Sequence, residues 1–187
     1  MFKSNYFKLI MKINKIKFGK NLNLYGIPVI FKKKGSQLNI GENCTIKSSF
    51  LSNLIGLSQR TIIVTRTKEA IINIGNNVGI SGATIYARKG IKIGDNTLIG
   101  GNVKILDNDF HPLEIDARNL DIKEKIRCKK IEIGKNCFIG CNTIILKGSI
   151  VGDGSIVGAG SIVSGVYPKN SIIVGNPARV INNIGDN

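Results

Sequence analysis

The chain has 187 residues, 42% of them hydrophobic, and carries a formal charge of +15 from 27 Lys and Arg against 12 Asp and Glu. That length suits one domain with a core of its own, and that apolar content excludes intrinsic disorder despite the charge. A single His excludes any scheme that needs two or three histidines, a three-His zinc site among them.

Residues 1–17 form a basic amino-terminal extension, expected as a short helix or an added strand. Lys3, Lys8 and Lys12 interrupt its apolar stretch, so a secretory signal is not expected. No apolar run reaches the length of a membrane-spanning helix, and a reduced, cytoplasmic protein with free cysteines follows as the expectation. Nine Lys and no acid precede Glu42, including Lys32-Lys33-Lys34. Such a run is a solvated surface or a peripheral contact with an anionic membrane or polysaccharide precursor. Nucleic acid is not expected, because few aromatics or Arg interleave there.

From residue 18 to 168 the pattern is repetitive. Ile contributes 34 residues and Leu 12, a balance that favours pleated strands over helices. One phrase, apolar-Gly-x-Asn, recurs at Phe18, Ile40, Ile74, Ile93 and Ile133, with a variant at Val151. Within it runs a shorter period. Ile133, Ile139, Ile145, Val151, Val157 and Val163 are spaced by six without a slip, as are Ile93, Ile99 and Ile105. Two positions before these aliphatics sit small residues such as Thr97, Cys137, Thr143, Ser149 and Ser155. In a strand an even spacing returns to one face, whereas in a helix six residues rotate about 600° and bury no single face. The period therefore predicts short strands with one inward aliphatic per hexad, and Gly and Asn at corners that need a left-handed backbone. Three hexads make one turn of a parallel β-helix of triangular section.

Departures from this period locate insertions. Successive phrases start 22, 34, 19, 40 and 18 residues apart. The second interval places an excess within roughly 47–71, read as irregular coil. The fourth places a long loop at about 107–130, the kind of departure from a regular solenoid that carries function. Residues 169–187 are expected as a cap, with Pro168 and Pro177 suited to a chain leaving the coil.

The long loop contains the only His, His111, and six of the twelve acids: Asp107, Asp109, Glu114, Asp116, Asp121 and Glu124. This points to a general base with carboxylates that orient it or hold hydroxyl groups, since imidazole titrates near neutrality. Asp107 and Asp109 are the candidates to orient it or bind the acceptor. Cys44 and Cys137 occupy the small-residue slot of a hexad and read as small hydrophobes. Cys137-x3-Cys141 has no second pair or His at ligand spacing, so no metal is expected.

The hexads, together with His111-Pro112-Leu113-Glu114, Ala117-Arg118 and the closing Val174-Gly175-Asn176-Pro177-Ala178-Arg179-Val180-Ile181, resemble the hexapeptide-repeat acetyltransferases. The maltose and galactoside O-acetyltransferases and the capsule and colanic-acid branch are the most similar in wording, over roughly 70–181. The resemblance implies a left-handed, all-β prism and a homotrimer with active sites between subunits. It implies His111 as the base that lets a sugar hydroxyl, or the amine of a nucleotide-linked amino sugar, attack acetyl-CoA directly. It further implies Cys141, Ala159, Ser164 and Arg179 as acetyl-CoA contacts, the last toward a phosphate. Two positions depart from the family. Gly82 stands where the galactoside and maltose enzymes carry a sugar-binding Asn, leaving Ser81 as the neighbouring hydroxyl, and Cys141 stands where Ser or Ala is usual. The γ-class carbonic anhydrases share the fold, but one His cannot supply their metal site. A non-catalytic β-helix scaffold is the remaining alternative.

Overall fold

The computed structural model describes residues 2–185; Met1, Asp186 and Asn187, the outer ends of the expected extension and cap, lie outside them. The repeat folds as a parallel β-helix whose three flat faces are sheets of seven, eight and six strands. Each coil contributes one strand to each face. Six coils are complete, from Lys17–Phe18 on the first face to Ile162–Val163 on the third.

The hexad aliphatics stack in register down the interior. Ile93 pairs with Ile133, Ile99 with Ile139, and Ile105 with Ile145. All nine aliphatics of the two uninterrupted hexad runs are at most 2% exposed. Each such side chain contributes about 1.5–3 kcal/mol by leaving water. The small slot is buried too, and it carries a bond that spacing did not reveal. The Thr97 hydroxyl donates to the Gly134 carbonyl, and the Cys44 and Cys137 thiols donate to the Gly75 and Gly152 carbonyls of the next coil. Burial pushes both thiols up from their ordinary pKa, so they stay protonated and unreactive.

The Gly-x-Asn phrase forms the corner between the first and second faces. Asn43, Asn77, Asn96 and Asn136 all hold φ near +57°, the left-handed backbone that Asn tolerates. Their amides form a ladder, Asn77 donating to Asn96 and Asn96 to Asn136. The Gly of the phrase permits stacking of the corners. A Cβ on Gly94 would stand 2.6 Å from backbone atoms of Gly134 and Lys135.

Of the two forms expected for the basic extension, the helix is present: α1 spans Phe2–Ile13. It ends where Lys15 takes φ +55°, with the Ile16 N–H on the Met11 carbonyl and the Lys15 N–H on the Lys12 carbonyl. Met11 joins the core beneath it, with Phe7 packed against that core. At the other end the coil runs past Pro168. Val166–Tyr167 and Ser171–Gly175 still pair in parallel, and Ala178–Asn183 then turns back antiparallel. Tyr167 fills the end of the core, its hydroxyl donating to the Ala178 carbonyl. Among the described residues no helix is long and apolar enough to cross a membrane.

The stretch read as irregular coil near 47–71 is a built loop, mainly residues 48–61 between the strands Thr45–Lys47 and Ile62–Thr65. Leu57 is buried beneath it, and Asn102 fastens it, accepting from the Ser58 N–H and donating to the Gly56 carbonyl. The second insertion leaves the strand Lys104–Leu106 on the third face and rejoins at Ile131–Ile133 on the first.

Candidate active site

The long loop has a two-stranded neck. Asn108 bridges Cys128, Asp109 N–H donates to the Arg127 carbonyl, and Lys129 N–H donates to the Asp107 carbonyl. Above the neck the chain turns sharply. The Phe110 N–H bonds the Asn108 side-chain oxygen, Phe110 takes φ +63°, and the His111 N–H reaches the Asp109 carbonyl. The Phe110 ring lies 4.9 Å from that of Tyr86 on the third face, which fixes the turn to the prism. Beyond it, α2 (Ile115–Asn119) buries Ala117, and the Arg127–Glu114 pair at 2.8 Å holds the Glu114 carboxyl below its ordinary range. The result is an exposed His111 on an anchored turn, next to a buried Pro112.

Asp107 is not placed as the sequence suggested. Its carboxylate is fully buried and accepts the backbone N–H groups of Arg88, Lys89 and Gly90 at 2.7–2.8 Å, plus the Asn108 amide. Four donors occupy the two oxygens, so the side chain plugs the corner of the preceding coil and roots the loop. It makes no bond to His111. Asp109 lies two residues before His111. One oxygen pairs with Lys147 at 2.5 Å, while Oδ2 is buried without a donor. Lys147 was not singled out in the sequence, although register gives it. Leu106 pairs with Leu146, so the next residue, Lys147, lies one coil beyond Asp107.

Ser81 and Gly82 occupy the other edge of the third face. The Ser81 hydroxyl accepts from Asn53, and the Gln59 amide bonds the Gly82 carbonyl and the Thr84 hydroxyl. A Cβ on Gly82 would stand 3.0 Å from the Gln59 carbonyl and 3.1 Å from Leu57. The 48–61 loop thus covers the corner where the resemblance expects an Asn, and a sugar-binding amide there would compete with Leu57 for space.

Cys141 and Ala159 stand at this same edge two and three coils on, where they are partly and fully exposed. The corner bonds there run from Asn142 to Gly101 and from Gly160 to Cys141. Among the described residues the Cys141 and Ala159 N–H groups meet no acceptor within the chain. Ser164 is exposed at the His111 edge, two coils on. Arg179 projects from the terminal hairpin; among the described residues its guanidinium bonds only the adjacent Ala178 carbonyl, and the residue is exposed. One chain therefore sets His111 and Ser164 on one edge of the third face, and Ser81, Gly82, Cys141 and Ala159 on the other.

Comparison with known proteins gives this geometry a family. Residues 130–165 match the family model described as bacterial transferase hexapeptide (six repeats), and 90–105 match the hexapeptide repeat of succinyl-transferase. A Klebsiella pneumoniae protein described as an uncharacterized 24.8 kDa protein in cps region is 37% identical over 179 residues, 92% of this chain and 74% of that one. Among solved structures, the Bacillus cereus N-acyltransferase AntD superposes with a TM-score of 0.71 at 22% identity, over 95% of this chain and 88% of that one. A galactoside acetyltransferase in complex with coenzyme A gives 0.60 at 26% identity, over 96% of this chain and 70% of that one. The chain is a left-handed parallel β-helix and belongs to the hexapeptide-repeat acyltransferases.

Proposed function

We propose that the protein transfers the acetyl group of acetyl-CoA to a sugar hydroxyl of a bacterial surface polysaccharide or its precursor. The observation that carries this reading is the single His, displayed on a turn that Tyr86, the Asp107 plug and the Lys147–Asp109 pair anchor to the prism. His111 accepts the hydroxyl proton as the oxygen attacks the thioester carbonyl carbon. The carbon–sulfur bond then breaks, and the CoA sulfur leaves with the proton returned from His111. The free Oδ2 of Asp109, two residues away, is the candidate to hold the imidazole.

The unpaired N–H groups of Cys141 and Ala159 suit the pantetheine chain or the developing oxyanion, and the exposed guanidinium of Arg179 suits a phosphate. Ser164, exposed on the His111 edge, is a further candidate contact for acetyl-CoA. The reading includes a homotrimer, in which the His111 edge of one prism faces the Cys141–Ala159 edge of the next. Ser81, beside the covered Gly82, is the acceptor-side hydroxyl. The relative in the cps region supports a polysaccharide acceptor, and the galactoside acetyltransferase supports a hydroxyl.

The test is release of free CoA thiol from acetyl-CoA over a panel of sugars and nucleotide-linked sugars. An alkali-labile product carries the ester this reading expects. An alkali-stable product assigns an amine acceptor, and failure to bind acetyl-CoA by calorimetry returns the protein to a scaffold.

A further inference from the structure

The helix that closes the amino-terminal end of the prism has two apolar faces. Phe7 and Met11 turn inward onto the core. Tyr6, Leu9 and Ile13, spaced i, i+3, i+7 and so on one stripe, turn outward and are 68%, 54% and 71% exposed. One inward face is enough to seat a helix on its domain, so the outward stripe is unexplained by the fold. Lysines surround it. A cleft at the same end is lined by Ile13, Lys15, Lys17, Lys32 and Lys34, with no acid in its wall. Lys12 lies over the ring of Phe18, and Lys33 is exposed beside the cleft. Among the described residues none of these lysines has a carboxylate partner.

We propose that this end of the prism is a docking surface for an anionic lipid bilayer, with the Tyr6–Leu9–Ile13 stripe entering the headgroup boundary and the lysine cleft meeting lipid phosphates. Two observations from different sources meet here. An outward apolar stripe on a basic helix is the pattern of an in-plane interfacial helix. The uncompensated lysines supply the second attraction that a short stripe needs for stable residence, since anionic leaflets draw basic groups at close range. A second copy of the chain is the less suited occupant, because it would bring the same lysines against its own. The inference stands apart from the acetyl-transfer reading, and its readout does not involve turnover.

Co-sedimentation of the full chain with mixed phosphatidylcholine–phosphatidylglycerol vesicles, against pure phosphatidylcholine, tests it. Binding is expected to the anionic vesicles and to weaken as salt rises. Lys32→Gln and Lys34→Gln should each weaken it about fivefold. Leu9→Ser and Ile13→Ser should each weaken it about tenfold, with circular dichroism unchanged because both side chains are exposed. Absence of binding to the anionic vesicles overturns the proposal, as does wild-type binding by the four variants. Displacement by inorganic phosphate at matched ionic strength reassigns the lysines to a soluble anion and also overturns it. So does a change in oligomeric mass on Leu9→Ser with vesicle binding unchanged.

Discussion

Asp107→Asn separates a structural carboxylate from a substrate-binding one. In the native corner, Oδ1 accepts from Arg88 N–H and the Asn108 amide, and Oδ2 accepts from Lys89 N–H and Gly90 N–H, all without solvent. An amide keeps one oxygen. Whichever side becomes NH2 then faces two donors with two of its own. Hydrogen bonds to a charged partner contribute about 1.5–3 kcal/mol each, so losing two costs roughly 3–6 kcal/mol. For a chain of this size 1 kcal/mol moves Tm by about 2–4 °C. Taking a loss of about 4 kcal/mol, thermal unfolding followed by circular dichroism should show Tm lowered by about 8–16 °C. A variant with wild-type Tm and no acetyl transfer would refute the reasoning and return Asp107 to the acceptor site.

Two further outcomes follow from the geometry. Asp95 accepts the Asn76 N–H and pairs with Lys135, and Asp153 accepts the Lys135 N–H and pairs with Lys169; these partners hold both carboxyls below their ordinary range. A folded pKa below the unfolded one gives stability that is present above about pH 4 and is lost as pH falls through the depressed value. The Asp95→Asn/Asp153→Asn protein should therefore lose less Tm on acidification than wild type, and an equal loss would contradict this. Arg179→Ala should raise KM for acetyl-CoA about tenfold, the scale of one charge-assisted bond, with kcat within about twofold; an unchanged KM would place the phosphate elsewhere.

Much of the fold was legible because its period is set by the strand itself. Ile133 to Val163 face inward every sixth residue, and the Asn of the Gly-x-Asn phrase takes the left-handed corner. The His111 loop was legible as an interruption of that period. The chemistry inside the loop was not. Asp107 read as a candidate to orient His111 or bind the acceptor, because its partners, the N–H groups of residues 88–90, carry no side-chain signature in the sequence. Lys147 belongs to no motif, and only coil-to-coil register brings it to Asp109. The 48–61 loop broke the hexad without replacing it by another pattern. Its role over Gly82 depends on single contacts from Leu57 and Gln59.

The central claim is that His111 removes the acceptor proton. The direct measurement is the rate of acetyl-CoA thiol release by His111→Ala against wild type, on an accepted sugar, with acetyl-CoA binding and Tm measured on the same preparations. His111 is exposed and, among the described residues, makes no side-chain bond, so Tm and acetyl-CoA affinity should stay at wild-type values. Turnover should fall by roughly 10²–10⁴-fold, the usual contribution of a positioned general base. Turnover within a fewfold of wild type would contradict the account.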